Sequence, residues 1–124
     1  MFPGIGFGGS CFPKDVSALA SLADRIGTNP ILLHAALAVN DEQPNKIIKL
    51  LEQRIPDLKG KQIAILGLAF KDNTDDIRES RSIPVIASLL DKGAVPVCYD
   101  QMASENMKQI FPGVSYKDSA KEAL

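Results

Sequence analysis

The sequence predicts an α/β fold, a helical segment followed by part of a parallel sheet. Three observations predict it. Apolar residues recur at helical spacing from Val16 to Ile55. Beyond Pro56 to Gly60 the pattern changes to strand, helix, strand, helix, strand, the rhythm of a parallel sheet. Only three strands are found, too few for a complete doubly wound sheet. The best internal boundary therefore divides residues 1–59 from residues 60–124.

The chain opens on a glycine-rich loop, Phe2-Pro3-Gly4-Ile5-Gly6-Phe7-Gly8-Gly9-Ser10-Cys11, with no strand before it. Such an opening, with the early stop of the sheet, reads as a piece of a longer chain. Asp15 is expected to cap the first helix, with Pro13 just outside it. Val16, Leu19, Ala20, Ala23 and Ile26 form its apolar face, and Gly27 ends it. Thr28-Asn29-Pro30 is a cap followed by proline at the first helical position. From Pro30 to about Glu42 the helix is apolar on nearly every side, so something must surround it. Pro44 is expected to break or kink it. Ile47, Ile48, Leu51 and Ile55 then continue on one apolar face. In the second half, residues 62–67 read as a strand. A helix runs from about Ser82 to Lys92, and Val95 to Asp100 form a second strand, which Pro96 places at an edge or bulge. A short helix from Met102 to Ile110, a strand from Val114 to Tyr116 and a helix start at Ser119 complete the pattern.

Lys and Arg number 14 against 15 Asp and Glu, a formal charge of −1 over 124 residues. This balance argues against nucleic acid as a partner, which calls for a basic surplus or stripe. No apolar run reaches the ~20 residues of a membrane span. Two cysteines make no disulfide framework, so the expected compartment is a reducing cytoplasm with free thiols.

Cys11 is the first candidate for chemistry. It follows the glycine loop and precedes a helix opening with Lys14 and Asp15. A helix N-terminus and a nearby ammonium favour thiolate, the nucleophilic form. A thiolate adds to an aldehyde, loss of hydride gives a thioester, and water hydrolyses it. Asp15, about one turn on, is placed to position that water or to cap the helix. The second candidate is the stretch from Gly67 to Ser80, which follows a strand, where open α/β sheets bind ligands. It lacks G-x-G-x-x-G. Lys71 and Arg78 are suited to anionic groups, but by charge alone they pair with Asp72, Asp75, Asp76 and Glu79 in a solvated loop. The spacing of these acids does not suit calcium, and no metal is expected. Asp100 ends the second strand and reads as a cap more readily than as a ribose ligand. His34 reads as a packed or interface histidine, and Cys98 as core. A cysteine hydrolase is disfavoured because His34 is the sole histidine. Residues 40–43 form an abrupt polar patch, either a buried interface network or the helix surfacing before Pro44.

The run Gly6-Phe7-Gly8-Gly9-Ser10-Cys11-Phe12-Pro13-Lys14-Asp15 resembles the active-site segment of the nucleotide-sugar 6-dehydrogenases. Phe70-Lys71 with Thr74, Asp76, Arg78, Glu79 and Ser80 resembles that family's second signature, at fitting distance, and residues 39–43 resemble its central helix. The resemblance implies a central helical region followed by a partial Rossmann-like parallel sheet. It implies NAD-dependent oxidation of a sugar's C6 alcohol to a carboxylate, with UDP-glucose as substrate. GDP-mannose and N-acetylated UDP-sugars are the alternatives, and a non-catalytic dimerisation and nucleotide-binding remnant is the alternative of another class. By the same resemblance, Cys11 is the nucleophile and Asp15 assists with water. Phe2, Pro3, Gly4, Ile5, Gly6, Phe7, Gly8, Phe70 and Lys71 bind the substrate. Cys11, Phe12, Pro13, Lys14 and Arg78 bind NAD. The apolar helix, residues 30–55, makes a homodimer. The family's N-terminal NAD-binding domain, an upstream lysine and asparagine, and the rest of the sugar-nucleotide domain are not in this sequence, so the isolated chain is expected to be inactive.

Overall fold

A computed structural model describes residues 4–124, and Phe2 and Pro3 lie outside the described residues. Two helices come first, α1 (Phe12–Arg25) and α2 (Ile31–Arg54). There follow β1 (Gln62–Leu66), α3 (Ser82–Asp91), β2 (Val95–Tyr99), α4 (Ser104–Ile110), β3 (Ser115–Tyr116) and α5 (Ala120–Ala123). The sheet is parallel with order β1-β2-β3. The α/β class and the three parallel strands are those expected from the sequence.

Four local expectations are corrected. Pro13 lies inside the first turn of α1, because proline's fixed φ and missing N–H suit that position. The N-cap is therefore Cys11 rather than Asp15, and Asp15 N–H donates to Cys11 O at 2.8 Å as the first helical bond. Pro30 sits at the N-cap of α2 and Ile31 begins it. Pro44 does not end α2, which runs for 24 residues. Proline there removes the N–H that would bond the Asn40 carbonyl, but its ring is fully buried, and this packing offsets the loss. Pro96 lies in the middle strand rather than at an edge. In a parallel pair alternate residues bond alternate neighbours. Val95 N–H donates to Lys61 O of the β1 side at 2.8 Å, so Pro96 faces the β3 side, where β3 pairs only with Val97 and Cys98.

Two apolar clusters hold the chain together. Leu68, Ile86, Cys98, Ala103, Met107 and Val114 pack on one side of the sheet. Ile48 of α2 packs with Leu58, Val85, Leu89 and Ala94, flanked by Ile5, Leu51, Ile55 and Ile63. The second cluster fastens the C-terminal half of α2 to α3 and β1. The N-terminal half of α2 has no such cover among the described residues: Ile31, Leu32 and Val39 are exposed, as are Leu19, Leu22 and Ile26 of α1 and the loop that follows it.

Cys98 is fully buried, and burial pushes its thiol up to about 11. His34 is exposed, not packed, and its Nε2 lies 3.1 Å from Asp24 Oδ2, linking α2 to α1. No helix among the described residues is long and apolar enough to cross a membrane.

Candidate active site

Two loops far apart in sequence meet here: the glycine loop before α1, and residues 67–81 between β1 and α3. Gly9 N–H donates to Arg78 O at 2.8 Å. The Phe70 ring covers Gly9 so closely that a Cβ there would sit 2.7 Å from it. Gly8 is pressed on the Glu79 peptide. A Cβ on Gly8 would lie 2.8 Å from the Glu79 carbonyl carbon and overlap its oxygen. Glu79 itself has φ +53, uncommon for a residue with a side chain, so this junction stores backbone strain.

The second loop is fixed from beneath. The Ser80 and Ser82 hydroxyls donate to Leu68 O at 2.7 and 3.0 Å. Asp100, at the end of β2, accepts four backbone N–H bonds: Leu68 and Ala69 on Oδ2, Met102 and Ala103 on Oδ1, at 2.7–3.3 Å. Burial pushes its carboxyl up, but these donors outweigh burial and hold it below the usual carboxylate range. Asp100 thus caps the turn before α4, which starts two residues later than expected, and also ties down the loop after β1.

On the first loop, Cys11 is exposed at the N-cap of α1, where unpaired N–H groups favour negative charge. Its sulfur lies 3.6 Å from Ser10 Oγ. Lys14 pairs with Asp15. The hydrogen bond and charge of Asp15 chiefly raise the Lys14 ammonium above its ordinary value, with Cys11 a smaller contributor. Arg78 Nη2 lies 2.5 Å from Asp76 Oδ2. That hydrogen bond, followed by Arg78's own backbone N–H, holds Asp76 down at about 2. Arg78 is raised by its hydrogen bond to Asp76 and that carboxylate's charge, with Cys11 a minor contributor.

A cleft of about 840 Å³ lies between the loops and α2, lined among others by Pro13, Lys14, Asn40, Arg78, Glu79 and Arg81. Cys11 opens instead on a separate groove of about 270 Å³ that it shares with Phe12, Asp15, Val16 and Leu19, on the other face of α1 from the residues that line the cleft. Gly4, Gly6 and Phe7 face α2, and Ile5 packs on the β1 side. Lys71 lies over the Phe70 ring, 5.4 Å from its centroid. Pro13, Lys14 and Arg78 therefore share one cleft, while Cys11, Phe12 and Asp15 line a different groove across α1, so the structure does not bring these two sets of predicted residues together.

The polar patch on α2 belongs to this site. Asn40 is buried and bonded to Phe7, and Asp41 lies 3.5 Å from Arg81 Nη1. Arg81 escaped the sequence reading. Its side chain is 12% exposed and also bonds Glu79 through Oε2 and the backbone carbonyl. The available signal was a second arginine three residues after Arg78. Among the described residues, no group of three or more His, Cys, Asp or Glu is arranged to hold a metal.

Comparison with known proteins gives the family. Residues 1–42 match the profile described as UDP-glucose/GDP-mannose dehydrogenase family, central domain, and residues 64–124 match the UDP binding domain of the same family. The chain belongs to the UDP-glucose/GDP-mannose dehydrogenase family. It is 54% identical over 121 residues to the UDP-glucose 6-dehydrogenase AglM of Haloferax volcanii, a match covering 98% of this chain and 28% of that protein. Among solved structures it resembles a UDP-glucose dehydrogenase from Pyrobaculum islandicum at 40% identity and TM-score 0.93, covering 97% of this chain and 28% of the other. It also resembles the GDP-mannose dehydrogenase of Pseudomonas aeruginosa at 30% identity and TM-score 0.81, covering 99% and 30%. The chain thus spans somewhat over a quarter of the length of these relatives.

Proposed function

We propose that this chain carries the cysteine loop and part of the nucleotide-sugar site of a cytoplasmic, NAD-dependent UDP-glucose 6-dehydrogenase, making UDP-glucuronate. The observation that carries this reading is the groove that Cys11 shares with Asp15, one helical turn apart, at the start of the same helix whose other face, with Lys14, lines a cleft with Arg78 and Arg81. Those cations suit the anionic pyrophosphate of a dinucleotide, so Pro13, Lys14 and Arg78 would hold NAD, and the family resemblance assigns Cys11 and Phe12 to it as well. NAD supplies the acceptor for the hydride removed in each of two oxidations. The chain's own part is covalent. Once the C6 alcohol has become an aldehyde, the Cys11 sulfur bonds to that carbon, giving a thiohemiacetal. Loss of a second hydride leaves a thioester. Water, positioned by the Asp15 carboxylate, adds to the thioester carbon. The C–S bond then breaks, releasing the carboxylate and returning the sulfur as thiolate.

Phe2 to Gly8, Phe70 and Lys71 are assigned to the sugar nucleotide. The two profile matches fall on either side of residues 59 and 60, which supports a division into a central helical region, 1–59, and part of a UDP-binding α/β region, 60–124. The exposed apolar face formed by Ile31, Leu32 and Val39 supports a homodimer through α2. The likeness to a GDP-mannose dehydrogenase supports GDP-mannose as the second reading.

The test replaces the matching segment of the Pyrobaculum islandicum enzyme with this chain and follows NADH formation. UDP-glucose should be oxidised in preference to GDP-mannose, and C11A should lower kcat by at least about a thousandfold. Equal turnover by C11A overturns the covalent role, and preference for GDP-mannose establishes the second reading. The isolated chain should form no NADH; steady turnover by it would refute that expectation.

A further inference from the structure

The Asn40 carboxamide treats Phe7 as a neighbouring strand would. Its Oδ1 accepts from Phe7 N–H at 2.6 Å and its Nδ2 donates to Phe7 O at 3.1 Å. Asn40 is 5% exposed, and among the described residues both polar atoms of its side chain bond Phe7 alone. The neighbouring glycine makes the approach possible: a Cβ on Gly6 would lie 2.5 Å from Asn40 Oδ1. Phe7 is four residues before Cys11, and its ring packs on Phe12, with centroids 5.5 Å apart. The clamp therefore acts on the chain just before the thiol, while Gly9 N–H to Arg78 O holds the same loop from the other side.

We infer that Asn40 is a positioning residue: its two-point bond to the Phe7 backbone sets where the glycine loop delivers Cys11. The inference rests on the reading of Cys11 as nucleophile, although the clamp itself is measurable without it. An alanine at position 40 would remove both bonds. An aspartate has the same shape. Its carboxylate accepts from Phe7 N–H but opposes Phe7 O, whereas its protonated form donates to that oxygen and restores both bonds.

The experiment uses the full chain. Hydrogen exchange gives protection factors for Phe7 and for β2 amides, and iodoacetamide gives the alkylation rate of Cys11. N40A should lower Phe7 protection at least about tenfold with β2 unchanged, and slow Cys11 alkylation about threefold or more. In N40D, Phe7 protection should be low at pH 7.5 and recover towards pH 5. Unchanged Phe7 protection in N40A, loosening spread equally over β1 and β2, or an unaltered Cys11 rate would each overturn the inference. Failure of the underlying reading looks different: wild-type Cys11 would react no faster than a model thiol while the Phe7 protection pattern stayed as described.

Discussion

Replacing Asp100 with asparagine tests whether this carboxylate is a structural knot or a ribose ligand. D100N keeps one acceptor oxygen and puts an NH2 group where the other stood. Two of the four N–H donors, either Leu68 and Ala69 or Met102 and Ala103, then face a donor. A bond to a charged group is worth about 1.5–3 kcal/mol net. Asp100 is half-buried, so water replaces part of what is lost, and a destabilisation of about 2–4 kcal/mol follows. Against a total of about 5–15 kcal/mol this is a large fraction. Urea unfolding at pH 7 would show it as a lower midpoint with an unchanged slope. The acid dependence has a definite sign. The folded carboxyl sits below its ordinary value. Its contribution is therefore present above the unfolded value of about 3.9 and is lost as pH falls through the folded one. The gap between wild type and D100N should hold from pH 5 to 8 and begin to narrow as pH falls below about 4. A gap under about 0.5 kcal/mol at pH 7, or one that widens as pH falls below about 4, refutes the knot.

Two further outcomes follow from the loop junction and the thiols. G8A should cost about 1–3 kcal/mol by overpacking against the Glu79 peptide, whereas G113A, which meets nothing within 4 Å, should not on steric grounds; thermal unfolding of the pair decides, and equal midpoints would count against the close approach. Native protein with excess iodoacetamide at pH 8 should take one label, on Cys11, and a second, on Cys98, only after denaturation, because burial holds that thiol at about 11. Peptide mass spectrometry reads both sites.

Much of this site was legible because its signals are local. Glycine spacing announced a loop that something approaches closely, and Lys14 with Asp15 announced a polar helix start. The strand–helix alternation announced the sheet, and Cys98 read as core from its place in a strand. What escaped depends on distance in sequence. Asn40 meets Phe7 across 33 residues, and nothing in either neighbourhood encodes the other. Arg81 and Asp41 are 40 residues apart. Both prolines, at 44 and 96, were read by their local penalty, which burial and alternate strand bonding cancel. His34 sits in an apolar stretch, yet its partner Asp24 belongs to the previous helix.

The stitch between Gly9 and Arg78 has a consequence for biosynthesis. The Cys11 sulfur is encoded ahead of the sheet, and the peptide that anchors its loop is made nearly seventy residues after Gly9. A nascent chain therefore carries an unplaced thiol until the loop beyond the first strand has left the ribosome. Assembly of the sheet and placement of the Cys11 loop are thereby coupled, so misfolding of either half leaves the cysteine without its setting.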